Sequence, residues 1–216
     1  MLLTEGIVFG HHVSSQGIKV DPAKIEVIVG HPSPKTQKEI RSFLVHAGYY
    51  HRFIENFTKI VAPIFKLLRK DLEFQWTKSC QNAFEILKAK LLVAPILRGP
   101  DWYLPFHISI DASNTAIGGV LSQKEEQAPY AIYFISKNLT PTELNYTVTE
   151  KEFLTVVYYI NKFLHYITCY EVFLHSDHSA IFLMNKPITN GRVTWWLLFL
   201  QEFNITVIDD LVKKLL

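Results

Sequence analysis

Apolar residues alternate with polar ones near the start of the chain, recur at helical spacing through residues 21–92, and return to alternation from Phe106 onward. Residues 6–20 read as two short strands around a turn at Ser14–Gly17. Asp21 and Pro22 open a helix to about Val29, with Asp21 as cap and the proline at the first helical position. Gly30-His31-Pro32-Ser33-Pro34 ends it. Thr36 and Glu39 form a capping-box pattern, and Ile40, Phe43, Leu44, Ala47 and Tyr50 carry that helix to about Phe53. A further helix starts at Thr58, with Pro63 in its first turns, and ends near Lys70. Thr77 caps the next one, from Lys78 to about Leu92, whose apolar face is Cys80, Ala83, Phe84, Leu87 and Leu91.

A domain boundary falls between Pro95 and Asp101. Beyond it, runs at 106–112, 116–123 and 130–136 are spaced for an antiparallel meander. The pattern then predicts a long helix over about 149–167 with Phe153, Val156, Val157, Ile160, Phe163 and Leu164 buried. A strand at Glu171–Ser176 and a short helix at His178–Met184 follow. A helix rich in Trp195, Trp196, Leu197 and Leu200 then reaches Phe203, ahead of a last strand at Asn204–Ile208. Helices after a meander, with strands returning between them, make a mixed α/β sheet.

Composition adds three constraints. The 216 residues are 49% hydrophobic and 19% charged, which suits a packed core and argues against disorder. No apolar run reaches the roughly 18 residues of a membrane span, so no membrane partner is expected. Met1–Gly6 lacks the pattern of a targeting signal, which fits an intracellular protein and leaves the compartment open. Cys80 and Cys169 have no CxxC partners and read as buried reduced thiols. His11 and His12 are adjacent on a strand, so their side chains point to opposite faces and do not share an ion.

Charge is unevenly spread. Residues 1–100 carry 14 Lys and Arg against 8 Asp and Glu, a balance of +6, and the remainder carries 8 against 12, a balance of −4. A basic half joined to an acidic half suits a backbone-binding module beside a cation-binding one, though an ordinary solvated surface is the plainer alternative. In the basic half, Arg41, His51, Arg52 and Lys59 are interleaved with Tyr49, Tyr50, Phe53 and Phe57, a mixture suited to a nucleic-acid backbone.

Asp111 closes the strand Phe106–Ala112, Glu152 falls in the first turn of the long helix, and Asp177 follows the strand ending at Ser176. Three carboxylates so placed suit magnesium or manganese, hard cations that prefer oxygen ligands. Each also has a structural explanation. Asp111 could close a turn, Glu152 could complete a capping box with Thr149, and Asp177 could cap the following helix.

These residues resemble the distal part of the polyprotein of gypsy-type long-terminal-repeat retrotransposons, plant members especially. The resemblance runs in order through Phe9-Gly10-His11, Gly17–Ile25, Arg41–Leu44, Ala47–Tyr50, Arg52-Phe53-Ile54, Ala62-Pro63, Leu67-Leu68, Phe74-Gln75-Trp76, Asp111-Ala112-Ser113 with Gly118, Leu144-Asn145-Tyr146, Thr149–Glu152, Ser176-Asp177-His178 and Trp196–Phe203.

It implies a small, mostly helical thumb and connection remnant of reverse transcriptase at 1–95. It further implies a ribonuclease H-like mixed five-stranded sheet with flanking helices at 101–210, lacking its final helix, and a tail at 211–216. By the same resemblance, Asp111, Glu152 and Asp177 are catalytic and hold two Mg2+ or Mn2+ ions, with Glu150 the lesser match for the helix position. Arg41, Arg52, Lys59, Ser113 and His178 would contact an RNA–DNA hybrid whose RNA strand is cut. The palm motif of the polymerase, expected upstream with the fingers in the parent polyprotein, is absent, so no polymerase activity is implied. A fourth metal-binding aspartate has no clear equivalent in Asp209–Leu216. A non-catalytic nucleic-acid-binding remnant is therefore the alternative, as is a chain that folds poorly.

Overall fold

The computed structural model describes residues 5–69, 73–126, 128–176 and 191–209, with Asp209 described by its backbone alone. The chain divides into two compact units: Met1–Gly99 with Tyr133–Ser136, and Pro100–Ile132 with Lys137–Leu216. Among the described residues, no helix is long and apolar enough to cross a membrane.

The first unit opens with three strands rather than two: β1 (Glu5–Val8), β2 (His11–Ser14) and β3 (Gly17–Val20), paired antiparallel. The extra reversal is made by Phe9 and Gly10, both at positive φ (47° and 69°). Tyr49 and Tyr50 donate their hydroxyls to the carbonyls of Phe9 and Gly10, at 2.6 and 2.9 Å, and so hold that turn. His11 packs its ring against Tyr49, Tyr50 and Phe53, while His12 Nε2 lies 3.8 Å from Glu5, so the adjacent imidazoles do diverge.

Helix α1 (Pro22–Gly30) starts as its sequence predicts, with Asp21 accepting from Ala23 N at 3.0 Å. Helix α2 (Gln37–Tyr49) is shorter than expected and passes at Tyr50 into a single 3-10 turn at His51–Phe53. Thr36 caps it, but Glu39 reaches one residue further back, to Lys35 N at 2.7 Å, so the box is not closed on Thr36. Helix α3 (Phe57–Lys66) ends before Lys70 and holds Pro63 in its interior rather than its first turns. Helix α4 (Lys78–Leu92) has the expected start, end and buried face. Phe43 of α2 meets Phe84 of α4 at 4.6 Å between ring centres, at the middle of this core. Cys80 is buried as expected, whereas Cys169 is exposed, at a left-handed residue (φ 68°) just past a helix end.

The second unit is built on a five-stranded mixed sheet in the order β6-β5-β4-β7-β8, from β4 (Phe106–Ala112), β5 (Ala116–Glu125), β6 (Ala128–Asn138), β7 (Glu171–Ser176) and β8 (Asn204–Asp209). β4 pairs antiparallel with β5 and parallel with β7, and β7 pairs parallel with β8. Phe106, Ile108 and Ile110 alternate along β4, and Val172 and Leu174 sit beside the first two, making one apolar face. Between β6 and the long helix, Pro141–Leu144 form a short helix, α5.

Helix α6 (Val148–Ile167) covers that face with Phe153, Val156, Tyr159, Ile160, Phe163 and Ile167. The expected stripe is displaced in part: Val157 is only half-buried and Leu164 is exposed, while Tyr159 and Ile167 go inside. Tyr159 fits because Gly119 presents no side chain; a Cβ there would lie 2.8 Å from the ring. Helix α7 (Gly191–Leu200) buries Val193 and Leu200, and the expected helix at 178–184 lies outside the described residues.

The capping box that starts α5 yields a prediction. Glu143 accepts from Lys137 Nζ at 2.5 Å and from Thr140 N at 2.8 Å. Burial disfavours its charged form, but these hydrogen bonds outweigh burial and hold the carboxyl below its ordinary value of 4.5. A carboxyl depressed in the folded state stabilises the fold above the unfolded value and loses that contribution as pH falls through the folded one. Glu143→Gln is therefore expected to melt lower than the unaltered chain at neutral pH, with the gap closing below about pH 4. A gap independent of pH between 7 and 3 contradicts this.

Candidate active site

Asp111 stands at the carboxyl end of the central strand β4, its side chain exposed and its Cα opposite Gly118 of β5. The turn that follows is tied by Ser113, whose hydroxyl donates to Ala116 O at 2.8 Å and accepts from Ala116 N at 3.1 Å. This places the serine beside Asp111, with its hydroxyl occupied by the turn.

Glu152 is in α6 and 6% exposed. The helix begins at Val148, which puts Glu152 in the second turn instead of the first. Its proposed structural use, a capping box with Thr149, is also set aside. The box that forms is Thr147–Glu150, with Glu150 N on Thr147 Oγ1 at 3.2 Å and Thr147 N on Glu150 Oε2 at 2.9 Å. A buried carboxylate not used to start its helix is a costly thing to keep, and such groups concentrate where charge is put to work.

The sequence holds one further signal. Tyr159, seven residues after Glu152 and so on the same side of the helix, is fully buried, and its phenol ionises only well above the usual range. Burial is the main cause, followed by the neighbouring Tyr158 and by the charge of Asp111. The Gly118-Gly119 pair opposite the strand end was the clue that a large aromatic side chain fills the space there.

Asp177 and His178 lie outside the described residues. Among the described residues, no group of three His, Cys, Asp or Glu side chains is placed to hold a metal ion. Asp111 and Glu152 are both hard oxygen donors, the type a magnesium site requires. In the first unit, Arg41 of α2 and Lys59 of α3 are exposed, and Arg52 of the 3-10 turn is half-buried. Tyr50, Phe53 and Phe57, interleaved with them, belong to the core instead of offering rings to bases, and Tyr49 spends its hydroxyl on the β1–β2 turn.

A five-stranded mixed sheet in which β4 runs antiparallel to β5 and parallel to β7 and β8, with a long helix on one face, is the ribonuclease H-like fold. Residues 76–174 match the family model described as the RNase H-like domain found in reverse transcriptase. The chain carries the RNase H-like domain of a retrotransposon polyprotein. It is 38% identical over 214 residues to the retrovirus-related Pol polyprotein from transposon 297 of Drosophila melanogaster, covering 98% of this chain and 20% of that protein. It is 32% identical over 204 residues to the transposon Tf2-3 polyprotein of Schizosaccharomyces pombe, covering 92% of this chain and 15% of that one. The chain therefore spans a fifth or less of these relatives.

In fold it is similar to the dRH form of the foamy viral protease-reverse transcriptase solved with double-stranded DNA (TM-score 0.79, 23% identity, 97% of this chain and 38% of that one). It is likewise similar to the foamy viral protease-reverse transcriptase solved with an RNA/DNA hybrid (TM-score 0.77, 24% identity, 96% of this chain and 29% of that one).

Proposed function

We propose that the chain is the thumb and connection (1–95) and the ribonuclease H domain (101–210) of a gypsy-type, plant-like retrotransposon polyprotein, and that it hydrolyses the RNA strand of RNA–DNA hybrids. The observation that carries this reading is the register of the central strands. β4 and β7 are parallel neighbours, with Ser109 opposite His175, so the strand that delivers Asp111 and the strand that leads to Asp177 end at one edge of the sheet. In open α/β sheets, the crevice outside the carboxyl ends of the strands is where ligands bind. The helix packed on β4 adds Glu152.

In this reading Asp111, Glu152 and Asp177 hold two Mg2+ or Mn2+ ions, as RNase H-like nucleases generally do. Bound there, divalent ions supply an activated water and stabilise the leaving oxygen of a phosphodiester. The chain's own part is to fix the carboxylates at the end of a rigid sheet and to lay the hybrid across them. Arg41, Arg52 and Lys59 neutralise phosphates, with Ser113 and His178 near the cut. Contacts of this kind select the type of nucleic acid and leave its sequence unread. The polymerase palm and fingers belong to the upstream part of the parent polyprotein.

The test is a labelled RNA–DNA hybrid incubated with the full chain and Mg2+. Cuts confined to the RNA strand, lost in Asp111→Asn and in Glu152→Gln while both variants still bind the hybrid, are the expected result. Hybrid binding without any cut overturns the nuclease reading and leaves a binding remnant.

A further inference from the structure

At the start of α6 one carboxylate serves two helices. Glu150 Oε2 accepts from both the backbone N (2.9 Å) and the hydroxyl (3.0 Å) of Thr147, closing the cap of its own helix. Glu150 Oε1 is turned the other way and accepts from Arg192 Nη1 of α7 at 3.1 Å. The guanidinium lies over the ring of Tyr146, 4.3 Å from its centre, and the same ring faces Trp196 at 6.3 Å. Arg192 and Trp196 are four apart on α7 and so share a face, from which they grip the residue immediately before the cap. Glu150 is nearly buried, its side chain 12% exposed, while that of Arg192 is 47% exposed. An ion pair as open as this contributes little by charge alone. Its weight lies in geometry: a flat, stacked guanidinium fixes both the ring and the cap in a way a point charge does not.

The geometry points to Arg192 as a positioning residue for Glu152. This rests on the reading of Glu152 as a metal ligand. Glu152 follows Glu150 by two residues, roughly 200° around the axis at the start of the second turn, so a rotation of the helix start about its axis swings both. At about 6 Å from the axis, a twist of about 10° carries a carboxylate about 1 Å, beyond the roughly 0.5 Å a productive site tolerates. Helix ends are held against such twisting by their caps, and here the cap is itself held by α7.

Charge and positioning predict opposite signs. Removing a cation from the neighbourhood of a metal site tightens metal binding if only its field matters, and weakens it if the residue places a ligand. The experiment is a Mn2+ titration of the full chain, followed by electron paramagnetic resonance, for the unaltered protein, Arg192→Ala and Arg192→Gln, with the melting temperature of each recorded. Val193→Ala trims a buried side chain of the same helix without touching the clasp, and it controls for lost stability.

Arg192→Ala is expected to weaken Mn2+ binding by about tenfold or more, the range seen when partners of metal ligands are removed. Arg192→Gln should weaken it in the same direction, and Val193→Ala should leave it unchanged despite a lower melting temperature. If Arg192→Ala does not melt cooperatively, Arg192→Gln decides. Binding in the Arg192 variants equal to or tighter than in the unaltered chain overturns the positioning role alone. No Mn2+ binding by the unaltered chain overturns the metal site, and the positioning role falls with it.

Discussion

Gly17→Ala is expected to destabilise the first unit by about 3–5 kcal/mol, the largest loss of stability from any single methyl group considered. Two independent reasons converge on this glycine. Its φ is +129°, a conformation that L side chains rarely adopt, and a Cβ would fall 2.4 Å from the carbonyl oxygen of Leu97. That oxygen belongs to backbone and has no rotamer by which to move aside. It is also the acceptor for Ile18 N at 2.8 Å, while Leu97 N donates back to Ile18 O at 2.9 Å. This two-bond bridge ties β3 to the segment that follows α4, and the methyl group must either break it or rotate Gly17 out of its conformation. At roughly 4–8 °C per kcal/mol for a unit of about 100 residues, the melting temperature should fall by more than about 10 °C. Gly30→Ala is the matched control. Its Cβ would meet nothing within 4 Å, and it ends a helix, so it should be neutral or slightly stabilising. If the two variants melt alike, the packing at Gly17 is wrong.

How much of this was legible in the sequence differs from element to element. Helix α4 could be read nearly to the residue because its start has a Thr cap and its face keeps a 3.6-residue period, two local signals that agree. The β1–β2 turn was hidden because Phe9-Gly10 is not a standard hairpin pair. What holds it is a pair of tyrosine hydroxyls 40 residues away, which local reading does not reach. The start of α6 offered two overlapping Thr-x-x-Glu frames, Thr147–Glu150 and Thr149–Glu152, and spacing alone does not choose between them. The frame taken uses Glu150 as a structural group and leaves Glu152 out of the cap. Asp111 could be read because a carboxylate at the end of an alternating strand is a local pattern. The clasp of Arg192 on Glu150 could not, since it depends on how two helices far apart in sequence come together.

Gly119→Ala carries the same kind of argument into the candidate site. The added Cβ would lie 2.8 Å from both Cε1 and Cζ of Tyr159 and 3.1 Å from Cδ1, the edge of a rigid ring. The ring cannot swing away, because it is wholly buried, with Phe163 stacked at 6.1 Å and Tyr158 edge-on at 5.3 Å. Overpacking of this sort costs about 1–3 kcal/mol, which predicts a clear fall in melting temperature. The strain is also directed: Gly119 sits beside the Gly118 that pairs with Asp111, and Tyr159 sits on the stripe of α6 that includes Glu152. Lifting α6 from β5 thus moves one carboxylate relative to the other, so Mn2+ affinity should fall together with stability. Tyr159→Leu removes the ring edge that is struck, at the loss of buried area. The double variant Gly119→Ala, Tyr159→Leu should be more stable than the sum of the two single losses by about 1 kcal/mol or more, a coupling that only residues in contact show. Simple additivity in that cycle means that the ring does not rest on the glycine, and the path by which packing reaches Asp111 and Glu152 is then lost.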